Sequence, residues 1–294
     1  MIGVTERLGG IGVWEAAMRY GDPAAAGDYA AEVEELGYSA VWIPDVGGDL
    51  FGALGSLLAS TSSITVASGV LNLWAQDPTR SAAGFHELVA KYGPRVLIGI
   101  GVSHGPVVDG AEPGRYRRPL ARMREFLDAL DAAPEPLPLG DRVLAALGPR
   151  MLELARDRAG GAHPYLVTPE HTATAREILG AGRLLAPEQG VVLETDPTRA
   201  RDIARKNLAA YFGLPNYVNN WRRYGFDDAD VTAPGSDRLI DALVAWGDEQ
   251  AIAERVGQHR QAGADHVCIQ VMVDRDDMAV FPVEQWRRLA PALI

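Results

Sequence analysis

The chain of 294 residues carries a formal charge of -11 from 39 acidic and 28 basic residues, with a hydrophobic fraction of 47% and a charged fraction of 23%. That apolar content can bury a large core without disulfides or metal, and an acidic chain with no cluster of Lys or Arg lacks the footprint of a nucleic-acid partner. The single cysteine, Cys268 in the apolar run Val267-Cys268-Ile269, excludes an internal disulfide and reads as a small buried hydrophobe of a reducing compartment.

At the start of the chain, Met1 to Gly12 has no basic segment followed by an apolar one, and no apolar run approaches ~18 residues. A cytoplasmic protein without a membrane partner is expected. Eight short apolar runs then predict strands: Ile11-Gly12-Val13-Trp14, Ala40-Val41-Trp42-Ile43, Ile64-Thr65-Val66-Ala67, Val96-Leu97-Ile98-Gly99-Ile100, Val143-Leu144-Ala145-Ala146, Tyr165-Leu166-Val167, Val191-Val192-Leu193 and His266 to Val271. They are apolar throughout rather than alternating, as parallel strands covered by helices are. Between them, a capping residue followed by proline marks helix starts at Asp22-Pro23, Asp77-Pro78, Thr168-Pro169 and Asp196-Pro197, with Gly148-Pro149 as a fifth. In the first of these helices Tyr29, Val33 and Leu36 form the inward stripe, and Gly37 closes it. His86, His171 and His259 fall within helical patterns and are expected to face solvent. Lys91 and Lys206, the only lysines, also fall within helices, which disfavours a lysine-dependent aldolase.

Alternation of strands and helices leaves a closed barrel or an open doubly wound sheet, and eight units favour an α/β chain folded as one (β/α)₈ TIM barrel over residues 1–294, a fold that typically needs ~250 residues. The run from Gly213 to Asp237, with Pro215, Asn216, Asn219, Asn220, Trp221, Tyr224, Pro234 and Gly235, reads as an irregular insertion after strand seven and its helix. A lid, an oligomer contact and a solvated loop are equal readings of it.

Candidate site residues cluster at predicted strand ends. Gly99 to Gly105, with Gly101, Val102, Ser103 and His104, ends strand four, and its small residues let backbone N–H groups approach a phosphate or a planar ring; a plain turn at the barrel rim is the alternative. Its spacing, G-x-G-x-x-x-G, misses the dinucleotide fingerprint by one residue. Ser68, Gly69, Val70 and Asn72 end strand three around a glycine that suggests a bulge or a close backbone approach. Asp45 follows strand two at a rim position that is catalytic or ligand-binding in barrels, or else caps a helix. Leu147, Gly148 and Pro149 open a helix whose first turn favours a bound phosphate, and His104 and His163 lie near strand ends. No metal-ligand motif and no G-x-S-x-G elbow occurs.

Together, Gly37 to Asp45, Ile64 to Asn72, Asp77-Pro78-Thr79-Arg80, Pro94 to His104 and Gln261 to Val267 resemble, in order and spacing, the bacterial-luciferase-like flavin and deazaflavin enzymes, particularly their actinobacterial F420-dependent branch. The resemblance implies a cofactor ring backed by a bulge at Gly69-Val70, often with a non-prolyl cis peptide, and flanked by Gly101 to His104, with its phosphate at Gly148-Pro149. It implies hydride transfer between F420 and a small organic substrate, in a homodimer. One departure is Val46 where many deazaflavin relatives carry a histidine after the strand-two acid. His104 is the candidate to supply the acid or base, at an imidazole pKa near ~6.5, or to pack against the ring. An FMN-dependent monooxygenase and a flavin-binding barrel without turnover are the alternatives. A substrate pocket is expected from Trp14 to Gly21, Gly47 to Phe51 and the insertion.

Overall fold

A computed structural model describes residues 8–294, so most of the Met1 to Gly12 terminus lies outside the described residues. Ten strands, β1 (Ile11–Trp14), β2 (Ala40–Ile43), β3 (Thr65–Asn72), β4 (Val96–Gly101), β5 (Arg142–Leu144), β6 (Gly161–Ala162), β7 (Leu184–Leu185), β8 (Glu188–Val192), β9 (Val244–Trp246) and β10 (Val267–Val271), form one parallel sheet. Its order is β7-β6-β5-β4-β3-β2-β1-β10-β8-β9. The helices are α1 (Ala17–Tyr20), α2 (Pro23–Glu35), α3 (Leu50–Ala59), α4 (Pro78–Tyr92), α5 (Gly105–Ala111), α6 (Pro119–Asp131), α7 (Pro149–Arg158), α8 (Pro169–Leu179), α9 (Pro197–Leu208), α10 (Pro215–Arg223), α11 (Asp228–Val231), α12 (Asp237–Leu243), α13 (Glu249–Gln261) and α14 (Val283–Leu293). Among the described residues no helix is long and apolar enough to cross a membrane.

The expected ring of eight strands is replaced by a ladder of ten that ends at β7 and β9. Pro187, which has no N–H for the ladder, stands between β7 beside β6 and β8 beside β10; backbone bonds continue past it on both sides, Ala186 and Glu188 N–H donating to Ala162 and Pro164 O, and Asp265 and Cys268 N–H to Leu185 and Pro187 O. β9 adds an edge strand on β8. The strand expected at Tyr165-Leu166-Val167 is instead β6, several residues earlier. Leu166 is held at φ 52, and its N–H goes to the Glu188 carboxylate rather than to a neighbouring strand.

The sheet curls around an inner cluster of alternate strand residues, with Trp14, Trp42, Ala67, Leu97, Val143 and Cys268 all buried. The opposite set, including Val41, Ile43, Val66, Ile98, Leu144 and Ile269, packs under the helices. Helix starts fall where the capping residues place them: Asp22, Asp77, Thr168 and Asp196 accept from Ala24, Arg80, His171 and Arg199 N–H at the heads of α2, α4, α8 and α9. His171 and His259 are not on solvent faces. Both are fully buried; His259 bonds Thr172 Oγ1 (2.8 Å) and Gln189 Oε1 (2.9 Å), joining α8, α13 and β8, and His171 Nε2 meets Leu147 O (2.9 Å). The run Gly213 to Asp237 is not irregular either, since it holds α10 and α11 and leads into α12.

The feature that positions the site is a bulge in β3. Ser68 pairs with Ile98 and Leu71 with Ile100, so β3 advances three residues where β4 advances two, across a cis Gly69–Val70 peptide. The extra residue presses on β4. A Cβ at Gly99 would lie 2.3 Å from Ser68 O, and one at Gly101 would lie 2.5 Å from Val70 Cγ2. Ser68 Oγ donates to Gly99 O (2.9 Å) and seals the contact. Because the Gly99 neighbour is backbone and cannot yield, Gly99→Ala should destabilise the fold by about 1–3 kcal/mol. Gly110→Ala, at a helical position with nothing within 4 Å of the added methyl, should be neutral or slightly stabilising; urea unfolding of the two variants checks the difference.

Candidate functional site

Where the strands end, a cavity of about 990 Å³ opens. All the residues expected at the site line it except Ser68, which lies behind the bulge: Asp45, Gly69, Val70, Asn72, Gly101, Val102, Ser103, His104, Leu147, Gly148, Pro149 and His163. Val70 is partly exposed at the floor. The Trp14 indole holds the bulge by donating from Nε1 to Gly69 O (2.8 Å), and Trp74 Nε1 donates to Val102 O (2.7 Å) on the neighbouring rim.

Asp45 caps no helix; Asp49 caps α3 instead. The Asp45 carboxylate accepts from Gly47 N–H (3.2 Å) through Oδ1, and from Asn72 N–H (3.1 Å) and Gln76 Nε2 (3.0 Å) through Oδ2, so both oxygens are engaged in fixing the ends of β2 and β3. His104 sits at the N-cap of α5. Its Nδ1 accepts from Asn216 Nδ2 (2.8 Å), which leaves the ring proton on Nε2, and burial holds its pKa below the ordinary histidine value. The imidazole is therefore neutral near pH 7.

The other end of the cavity is cationic. Gly148 heads α7 without any side-chain cap, unlike the heads of α2, α4, α8 and α9, and an added Cβ there would meet only Arg223 Nη2, at 3.9 Å. Arg150 and Arg223 both line this end. An open helix N-terminus beside two guanidinium groups is matched to a phosphate. Against the β3 bulge lies His163, its Nε2 3.4 Å from where a Cβ on Gly69 would stand, fully buried and stacked on Trp42 (4.3 Å, 12°). Its Nδ1 donates to Ala186 O (2.7 Å), so Nε2 is a bare acceptor; that atom has no partner among the described residues, and burial drives the pKa down to about 4.

The 213–237 run was expected to line a substrate pocket, and Asn216, Tyr217 and Arg223 do reach the cavity, from α10; Tyr211, from the short 3₁₀ turn Ala209–Gly213 before that run, was not singled out in the sequence. Their aromatic and amide content was the available signal. Met278 comes from the segment after β10, which Arg275 ties down by donating to the buried Glu15 carboxylate (3.2 Å). Burial raises Glu15 to about 7.

Glu188 lies outside the cavity lining but is a second buried carboxylate of the same region. It is fully buried at the start of β8; Oε2 accepts from Leu166 N–H (3.0 Å), Oε1 has no partner among the described residues, and burial raises its pKa to about 8. A folded-state pKa above the unfolded one stabilises most below the unfolded value, and that contribution is lost as the pH climbs through about 8. Glu188→Gln, neutral at every pH, should therefore match the parent near pH 5 and exceed it in melting temperature at pH 9. Thermal unfolding across that range decides it, and parallel curves would contradict the assignment.

The comparisons with known proteins bear on this site. The family model for the luciferase-like monooxygenases matches residues 8–266, and the chain belongs to that family. A putative coenzyme F420-dependent oxidoreductase of Mycobacterium tuberculosis is 31% identical over 119 residues, 40% of this chain and 33% of that relative, so the match spans about a third of the relative's length. A 5,10-methylenetetrahydromethanopterin reductase of Methanolobus tindarius is 24% identical over 259 residues, 81% of this chain and 72% of the relative. Among solved structures, an F420-dependent secondary alcohol dehydrogenase bound to an F420–acetone adduct superposes with a TM-score of 0.73 at 14% identity, covering 97% of this chain and 99% of that one. A type II Baeyer-Villiger monooxygenase from Pseudomonas putida in complex with FMN superposes with a TM-score of 0.65, also at 14% identity, with 97% and 99% covered. At these identities the two structures establish the shared fold.

Proposed function

We propose that this luciferase-like enzyme is an F420-dependent oxidoreductase that exchanges a hydride between the deazaflavin and a small organic molecule. The observation that carries the reading is the pairing, within one cavity, of an apolar floor at Val70 on the β3 bulge with an uncapped α7 N-terminus flanked by Arg150 and Arg223. The first suits the face of a planar ring and the second a phosphate. The unpartnered Nε2 of His163 adds an acceptor beneath the bulge, which suits a polar heterocycle rather than a purely apolar guest. The putative F420-dependent oxidoreductase of Mycobacterium tuberculosis and the F420-dependent dehydrogenase that shares the fold favour deazaflavin over FMN.

In this reading the cofactor supplies the hydride chemistry, and the chain supplies orientation and shielding. Val70 sets the face of the ring that remains open to substrate. Asp45, with both oxygens engaged by backbone and Gln76 donors, acts by keeping Asn72 and the bulge in place. His104, neutral and protonated on Nε2, donates a hydrogen bond to a substrate oxygen. The homodimer implied by the family resemblance belongs to the same reading. An FMN-dependent monooxygenase is the second reading, favoured by the FMN-bound neighbour that shares the fold.

Fluorescence quenching separates the two: F420 should bind purified protein at micromolar concentration or tighter, whereas FMN binding with no F420 binding would sink the first reading. Gly148→Asp should weaken F420 binding tenfold or more, on the order expected for a carboxylate placed against a phosphate, without lowering the melting temperature.

A further inference from the structure

The cavity wall contributed by the 209–223 segment has a hydrogen-bond polarity of its own. Tyr165 Oη donates its one proton to Gln270 Oε1 (2.5 Å) and lies 2.9 Å from Tyr211 Oη. A phenol has one donor hydrogen, so with that of Tyr165 committed to Gln270, the hydrogen between the two tyrosines belongs to Tyr211. The chain of donation therefore runs from Tyr211 to Tyr165 to Gln270, and it leaves Tyr211 with lone pairs but no free proton. Tyr211 and Tyr165 both line the cavity. Gln270 is nearly buried on β10 and Tyr217 packs edge-on against Tyr211 (5.2 Å, 82°), which fixes the rings, while the Gln270 Oε1 acceptor sets the direction of donation.

Across Tyr217 from Tyr211 stands His104, whose ring lies 5.2 Å from that of Tyr217 and whose Nε2 carries the proton. One wall thus offers an acceptor, Tyr211 Oη, and a donor, His104 Nε2–H, framed by Trp14, Val107 and Met278. The cations stand at the α7 end.

We propose that Tyr211 is a specificity-determining acceptor, its polarity set by Tyr165 and Gln270, that selects a neutral and largely apolar substrate presenting an O–H or N–H donor. The proposal rests on the reading that this cavity holds substrate beside the cofactor. A hydroxyl can donate to Tyr211, whereas a carbonyl of the same shape can only accept and leaves Tyr211 unpaired.

Cyclohexanol and cyclohexanone serve as a matched probe pair, read by ligand-observed NMR with the full chain in the presence and absence of F420. The parent protein should bind the alcohol roughly threefold to tenfold more tightly than the ketone, the range one neutral hydrogen bond provides. Tyr211→Phe should bring the ratio to about one. Gln270→Leu is the sharper test. Without the Gln270 acceptor, Tyr165 turns its proton to Tyr211, Tyr211 points its own into the cavity, and the preference should reverse toward the ketone. Circular dichroism melting confirms that each variant is folded. Equal binding of the two probes by the parent, no binding of either, or an alcohol preference that survives in both variants overturns the proposal. Because the readout needs no turnover, loss of F420 binding alone would count against the cofactor assignment and leave the Tyr211 result standing.

Discussion

The close approach of the β3 bulge to β4 is the contact on which the site depends. One extra residue between Ser68 and Leu71 brings Ser68 O and the Val70 side chain so near to β4 that only glycine fits at 99 and 101. The same displacement turns Gly69 O toward the Trp14 indole and presents Val70 to the cavity. The glycines of β4 thus serve strand packing first, and the shape of the cavity floor follows from it. A glycine-rich strand end that resembles a phosphate loop in sequence is here the counterpart of a neighbour's bulge, while the phosphate-like pole lies elsewhere, at Gly148.

Which parts were legible in the sequence follows from how local each signal is. Asp22, Asp77, Thr168 and Asp196 announce helices because a cap and its proline act within four residues, and each does so in the structure. β7 and β9 are too short for periodicity to reveal, and Pro187, which stands between β7 and β8, lies in a ladder no local pattern describes. His171 and His259 were misplaced because a polar residue on a helix reads as solvent-facing unless its partners are known, and these partners, Thr172, Gln189 and Leu147, come largely from other elements. The site divides the same way. The residues expected at strand ends line the cavity because the repeating α/β pattern places them there, whereas the tyrosines of 209–223 reach it only through where α10 packs.

Electrostatically, the two histidines that line the cavity are held neutral by burial, the buried Glu188 lies outside its lining, and the cations Arg150 and Arg223 stand at the α7 end. His104 and His163 are held below the ordinary histidine range by burial, and Glu188 above the carboxylate range. Burial of a lone charge is costly whereas a neutral donor or acceptor is cheap once hydrogen-bonded. Neutral histidines therefore favour directional hydrogen bonds over ion pairing as the means of holding a substrate.

The division between the bulge and the 209–223 segment has an evolutionary meaning. The floor is built from β3 and β4, whose glycines tolerate almost no change, whereas the tyrosine wall comes from a short helical stretch between α9 and α12 that contributes no strand to the sheet. Substitutions in that stretch can rewrite what the cavity accepts while leaving the strand scaffold intact. Such changes fall first on positions like Tyr211 and Asn216, which line the cavity, and not on Tyr217 and Trp221 of the same stretch, which are packed in the core.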